Sequence, residues 1–219
     1  MEQPMRIPTG RSWSMCEPII QRFLRWCSEF YGRVWWYAHR NRFACRGEGC
    51  VVEPGDLTFE NIHLGSRVHV AYGCVIWGVR GHIFIGDRSG IASHCVIRGG
   101  NHNTECRGRF MMDLTEADKR PQDDRGVVIQ EDVWIGMRSV LLSGARVGRG
   151  AVVGAGSVIR GRVPPYAIVL GNPARVVSFR APVPEILAHE AKLYPPEKRL
   201  KAEALQAEQR RYPSKYLFC

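Results

Sequence analysis

Histidines, cysteines and one stretch of unopposed arginines are the side chains of this sequence with the most chemistry in them. The seven histidines stand at His39, His63, His69, His82, His94, His102 and His189. A neutral imidazole takes up and releases a proton near neutral pH, so a histidine is the first residue to consider as a general base. A zinc site needs three such ligands and an open position. His94 and His102 are eight residues apart and no third histidine follows until His189, so no metal is expected. The cysteines (Cys16, Cys27, Cys45, Cys50, Cys74, Cys95, Cys106 and Cys219) include no CxxC and no paired spacing. They read as reduced thiols filling small apolar spaces, not as a zinc ribbon or a disulfide framework. Residues 143–175 carry Arg146, Arg149, Arg160, Arg162 and Arg175 and no acidic residue. That bias suits phosphates, which bind best to charge-assisted donors, although part of it belongs to a solvated basic face.

The elements that must hold these groups repeat every six residues. Ile129, Ile135, Leu141, Val147, Val153 and Ile159 keep one phase without a miss, and four residues after each comes Val133, Ser139, Ala145, Ala151, Ser157 or Val163. One large aliphatic and one small inward residue per hexad describe a short strand and a turn. Three such units close a triangular coil, and stacked coils pair their backbones in parallel while the aliphatic rows form the core. Handedness is not visible in the spacing. The same period appears as Leu64, Val70 and Ile76 and again as Ile85, Ile91 and Ile97, with a slip of three residues between them at 79–83 that predicts a small bulge. Between Ile97 and Ile129 the pattern stops in a polar, charged stretch. A loop leaves the coil here, and long excursions from a rigid scaffold are usually functional.

The ends differ in kind. Residues 19–38 place Ile20, Phe23, Leu24, Cys27, Phe30, Tyr31, Val34 and Trp35 at helical spacing opposite Arg22, Arg25, Glu29 and Arg33, which predicts an amphipathic helix. Residues 184–193 and 196–210 predict two short helices, each begun by proline. The expected organisation is an N-terminal helical segment over 1–49, a β-helix over 50–178 with a loop at 102–127, and a helical tail over 179–219. At 219 residues the chain suits one domain with appendages. No run of about 18 apolar residues is present, and the N-terminus lacks the basic-then-apolar order of a signal peptide, so a cytoplasmic protein is expected. The formal charge of +10 favours an anionic partner without choosing among a phosphorylated ligand, a nucleic acid and an anionic membrane.

Residues 61–103 and 127–177, with VWIG at 133–136, VPPYAIV at 163–169 and GNPARV at 171–176, closely resemble the hexapeptide-repeat acyltransferases. Within that family they resemble the maltose and galactoside acetyltransferase branch and the acetyltransferases that decorate surface polysaccharides. The resemblance implies an all-β core in a left-handed parallel β-helix. It also implies direct transfer of an acetyl group from acetyl-CoA to a sugar hydroxyl, within a homotrimer whose sites lie between subunits.

By the same resemblance His102 in IRGGNH is the catalytic base, with no acyl-enzyme and no metal, and the other histidines are structural. Asn101, Tyr72 and Trp134 fall at acceptor-binding positions. Gly136, Met137, Gly154 and Ala155 line the pantetheine slot, and Arg160 and Arg175 meet the cofactor's phosphates. Glu105, Asp113 or a backbone carbonyl is the candidate to orient His102. Two departures stand out. Arg160, Gly161 and Arg162 replace a Thr-Lys-Asp often found after the last hexad, and Ala71, Tyr72 and Gly73 replace an Asn-aromatic-Asn step. The loss of both asparagines disfavours a small free sugar and favours a glycan acceptor.

Three other readings stand beside this one. An N-acetyltransferase acting on an amino sugar or nucleotide sugar differs only in the acceptor. A γ-class carbonic anhydrase shares the coil but lacks its histidines here. A non-enzymatic binding protein would rest on the basic surface and on the helix holding Phe23, Trp26, Phe30, Trp35 and Trp36, which either caps the coil or lies on the inner face of a membrane. Nucleic acid is not expected, since charge alone supports it.

Overall fold

Hexads this short cannot bury their aliphatics alone, so each coil depends on the ones above and below it. The computed structural model describes residues 19–212, and their core is a parallel β-helix with three faces. The first face stacks Cys45–Arg46, Ile62–Leu64, Ile83–Ile85, Val127–Ile129, Arg146–Val147 and Arg162–Val163. The second face stacks Val51–Val52, His69–Val70, Gly90–Ile91, Trp134–Ile135, Val152–Val153 and Ala167–Gly171, closed by an antiparallel return at Ala174–Phe179. The third face holds Asp56–Leu57, Val75–Trp77, Val96–Arg98, Val140–Leu141 and Val158–Ile159. Strand pairing begins at Cys45, slightly ahead of the boundary expected at 50.

Register confirms the period. Ile129 pairs with Val147, Ile135 with Val153 and Leu141 with Ile159, each eighteen residues on, which is three hexads per coil. All six aliphatics of that row, and the six small residues that accompany them, are at most 4 % exposed. The phase slip is a widened corner after Trp77, where Val79 takes a left-handed φ of 42°. The aperiodic stretch leaves the coil after the strand Val96–Arg98 and returns at Val127–Ile129. Its three single turns of 3-10 helix cover Met111–Asp113, Glu116–Asp118 and Pro121–Asp123.

Helix α1, Ile19–His39, packs on the coil through its last turn. Trp35 and Trp36 pack on the core, with Trp35 and His39 against Phe59 and Trp36 against Phe43. At the other end α2, Val183–Leu193, and α3, Ala202–Arg211, dock around Glu190. Its fully buried carboxylate accepts from the Tyr166 hydroxyl at 2.7 Å, from Arg149 Nη1 at 2.8 Å and from the Leu200 backbone at 3.0 Å. Burial, and then the bond to Glu190, push the Tyr166 phenol up from its ordinary range, so it stays a donor. This carboxylate also explains why the second predicted tail helix is split. Pro196–Lys198 makes one 3-10 turn, and the Leu200 amide is then taken by Glu190, so a helical turn cannot use it until α3 begins.

Glu190→Ala would leave Tyr166 and part of the Arg149 guanidinium buried without an acceptor. Urea denaturation should show about 3 kcal/mol of lost stability, the scale for breaking a buried ionic pair. Unchanged stability would mean that the tail helices hold without the carboxylate.

Candidate functional site

The coil opens at the corner between the third and first faces. Here the loop's two ends meet: the Gly126 N–H donates to the Gly99 carbonyl at 2.8 Å, and the Val127 N–H to His82 at 3.0 Å. The Ser143 hydroxyl, one coil further on, donates to the same Gly99 carbonyl at 2.9 Å and accepts the Arg125 N–H at 3.0 Å. Gly81 and Gly99 pass so closely that a Cβ on Gly81 would lie 2.1 Å from the Gly99 oxygen. Only glycine permits that approach. A loop of more than twenty residues therefore starts and ends on one rigid clamp.

Two adjoining hollows lie at this corner. One, of about 250 Å³, is lined by Asn101, His102, Thr104, Glu105, Arg120, Gln122, Asp123, Arg125 and Ser143. The other, of about 430 Å³, is lined by Arg98, Gly100, Asn101, Leu142, Ser143 and Arg160. Asn101 and Ser143 line both, so exposed His102 and exposed Arg160 share one continuous surface. Asn101 Oδ1 accepts the His102 backbone N–H at 2.9 Å, fixing the residue while leaving its imidazole to the hollow.

The loop is ordered by ion pairs. Arg120 gives Nη2 to Asp123 Oδ1 at 2.8 Å and its backbone N–H to Asp123 Oδ2 at 2.9 Å, and it also pairs with Glu105. The Arg120 side chain first, and its backbone N–H second, hold the Asp123 carboxyl down at about 2. Because the folded value lies below the ordinary 3.8, the pair steadies the loop above about pH 4 and is lost as pH falls towards 2. Arg109 joins Asp118 at 2.8 Å, and its Nη2 donates to the Asp113 carbonyl at 2.7 Å. The carboxylate of Glu105, a candidate to orient His102, is thus engaged by Arg120. Ser143 and the Arg120–Asp123 pair were not singled out in the sequence; the only local hint was the run Arg-Pro-Gln-Asp, a proline-led turn closed by an acid.

Of the five unopposed arginines, three are structural. Arg146 donates to backbone carbonyls of Arg125, Gly126 and Ala145, Arg149 binds Glu131 and Glu190, and Arg162 binds Glu208. Arg160 and Arg175 have no acidic partner among the described residues. The remaining residues singled out from sequence lie elsewhere on the prism. Trp134, 60 % exposed, stands on the second face between Gly90 and Val152. Tyr72, Met137 and Ala155 are exposed along the corner between the second and third faces, whose turns are bonded in series: His94 N–H to Tyr72, Arg138 to Ser93, Gly156 to Met137. The hairpin tip before Arg175 joins this corner through the Gly171 N–H, which donates to Ser157 Oγ at 3.1 Å. Gly136 is buried between coils, where a Cβ would lie 2.6 Å from the Ala155 nitrogen, and a Cβ on Gly154 would strike Leu170. These two glycines serve the stacking, and the exposed members of the expected slot are Met137 and Ala155. One chain therefore carries Asn101, His102 and Arg160 on one corner, and Tyr72, Met137, Ala155 and Arg175 on another.

The core thiols are turned inward, away from both surfaces. Cys50, Cys74 and Cys95 are buried and donate to the carbonyls of Gly65, Ala92 and Gly136. Contact with Cys95, and then burial, raise the Cys74 thiol and keep it protonated. Cys16 and Cys219 lie outside the described residues.

Residues 126–161 match the bacterial transferase hexapeptide family, six repeats. The probable acetyltransferase Rv3034c of Mycobacterium tuberculosis is 37 % identical over 103 residues, covering 45 % of this chain and 31 % of its own. The galactoside O-acetyltransferase of Lactococcus lactis is 25 % identical over 140 residues, 63 % of each chain. The chain thus spans less than two thirds of these relatives' length. Among solved structures, the hexapeptide-repeat containing acetyltransferase VCA0836 of Vibrio cholerae superposes with a TM-score of 0.56 at 25 % identity, over 69 % of this chain and 82 % of that one. The family match covers the hexads from Ile129 to Ile159 and VWIG, while GNPARV at 171–176 lies beyond it.

Asp123→Asn removes the charge that holds Arg120, so trypsin at neutral pH should cut the loop after Arg107, Arg109 or Lys119 at least about tenfold faster while the coil resists. An unchanged cleavage rate would show that the pair does not order the loop.

Proposed function

We propose that this hexapeptide-repeat chain is an acetyl-CoA-dependent acetyltransferase acting on a sugar hydroxyl of a glycan, with His102 as general base. The observation that carries this reading is the shared surface on which His102 and Arg160 face two joined hollows at the point where the loop leaves the coil. In the reaction, His102 accepts the proton of the acceptor hydroxyl as its oxygen bonds to the thioester carbonyl carbon. The carbon–sulfur bond then breaks, and the proton passes from the imidazolium to the departing thiolate. Arg160 and Arg175, which have no acid to neutralise them among the described residues, fit the donor's phosphates.

The two half-sites on separate corners favour a homotrimer. A neighbouring copy would bring its Tyr72, Trp134, Met137, Ala155 and Arg175 to face the His102 corner of the first. The polar loop walling the His102 hollow and the absence of asparagines at 71 and 73 favour an extended glycan over a small free sugar. The O-acetyl activity in the name of the Lactococcus lactis relative supports a hydroxyl acceptor. The cytoplasm, where acetyl-CoA is made, is the compartment this reading requires.

Thiol release from acetyl-CoA against a panel of glycans, nucleotide sugars and amino sugars tests the reaction. His102→Ala should lower kcat by about 10² to 10⁴, the usual contribution of a general base. Arg160→Ala should raise KM for acetyl-CoA about tenfold, the loss of one charge-assisted contact, with kcat little changed. Turnover by His102→Ala equal to wild type would remove the imidazole from the mechanism, and turnover only on amino sugars would move the reading to N-acetylation. Light scattering should give three times the chain mass.

A further inference from the structure

Helix α1 is turned the wrong way round for a coil cap. At 100° per residue, Ile19, Phe23, Trp26, Phe30, Val34 and Tyr37 fall within an arc of about 80°, which Ile20, Leu24, Cys27 and Tyr31 widen to about 160°. A capping helix would press this arc onto the coil. Instead no residue of α1 is buried, and the six residues of the narrow arc are each at least half exposed. The side towards the coil lies mostly outside the narrow arc: Ser28, Glu29, Gly32 and Trp36, with Tyr31 and Arg33 at its edges, line the hollow, about 370 Å³, that separates the helix from the wall around Val52 and Pro54. The last turn closes on the coil, through Trp35, Trp36 and His39.

From this orientation we infer that α1 docks this protein flat on an anionic lipid surface. Its outward arc is rich in aromatics, with Phe23, Trp26 and Phe30 stacked in series at 6.1 and 5.6 Å. Aromatic rings of this kind settle at the boundary between headgroups and acyl chains. Arg22, Arg33 and Arg40 fall along one margin of the arc, with Glu29 the one acid in the helix, and the Arg40 guanidinium lies 4.3 Å over the Tyr37 ring. Cations on the rim of an apolar face reach phosphate while their stems lie along the hydrocarbon. Pairing with a second copy would call for a narrow seam of aliphatics, whereas this arc is broad and half of it is aromatic. The chain's formal charge of +10 adds long-range attraction to an anionic surface. The docking does not depend on the reaction proposed above, although an acetyl acceptor carried on a lipid would be met there.

The test is sedimentation of the full chain with vesicles of phosphatidylcholine and phosphatidylglycerol, beside vesicles of phosphatidylcholine alone. The wild type should sediment with the anionic vesicles and be released in about 0.5 M salt, where screening acts within a few ångström. Phe23→Asp, Trp26→Asp and Phe30→Asp combined should weaken binding at least about tenfold without changing the melting temperature, because all three rings are more than half exposed. Arg22→Gln with Arg33→Gln should weaken binding to the anionic vesicles and abolish the preference for them. A wild type left in the supernatant, or a triple variant that sediments equally, would overturn the inference. So would a triple variant with fewer subunits by light scattering, which would assign the arc to contacts between copies.

Discussion

Every feature of this molecule hangs on the backbone ladder between coils. A strand of two residues has no stability of its own, and it persists here because its amides and carbonyls are taken up by the strands of the neighbouring coils, such as Arg146–Val147 against Val127–Ile129 and Val152–Val153 against Trp134–Ile135. The aliphatic rows hold the stack from within, and glycines such as Gly136 let successive corners approach to backbone contact. The result is a prism whose corners are defined to within a hydrogen-bond length. Groups placed on a corner keep their spacing to groups on the coils above and below.

That rigidity is what the corner beside His102 exploits. An irregular segment of more than twenty residues would ordinarily blur the position of anything at its root. Here the root is the Gly99–Gly126 bond, steadied by Ser143 from the next coil, so His102 begins from a known place. The loop beyond it is organised by charge, with Arg120, Asp123, Arg109 and Asp118 doing what an apolar core does elsewhere. Stacking also dictates the main limitation of a single chain. Residues in one column stay in that column, so the second-to-third corner and the third-to-first corner cannot meet on one prism, and a site using both needs a second prism.

The two ends of the stack are closed by different chemistry. At the C-terminal end a buried carboxylate gathers Tyr166, Arg149 and the Leu200 amide, so that α2 and α3 are held by directional bonds as well as by Val183, Ile186 and Leu205. At the N-terminal end a small aromatic cluster of Trp35, Trp36, Phe43 and Phe59 completes the core, and the rest of α1 is left to face outward.

The hexad period alone determined the coil, its buried rows, the bulge after Trp77 and the exit of the loop, because a one-dimensional stack repeats its local pattern in the chain. Family resemblance then marked His102 and the arginines, and tertiary contacts divide the five: Arg146, Arg149 and Arg162 are held by carbonyls or acids, while Arg160 and Arg175 have no acidic partner among the described residues. Tertiary structure decided what depends on partners distant in sequence: that Ser143 clamps the loop, that Arg146, Arg149 and Arg162 are consumed internally, and that Glu190 splits the tail. It also decided the orientation of α1. A periodic pattern shows that a helix has an apolar side, but only packing against the coil shows which side is used, since the hydrophobic effect is non-directional and Trp35 and Trp36 are what α1 adds to Phe43 and Phe59 at this end.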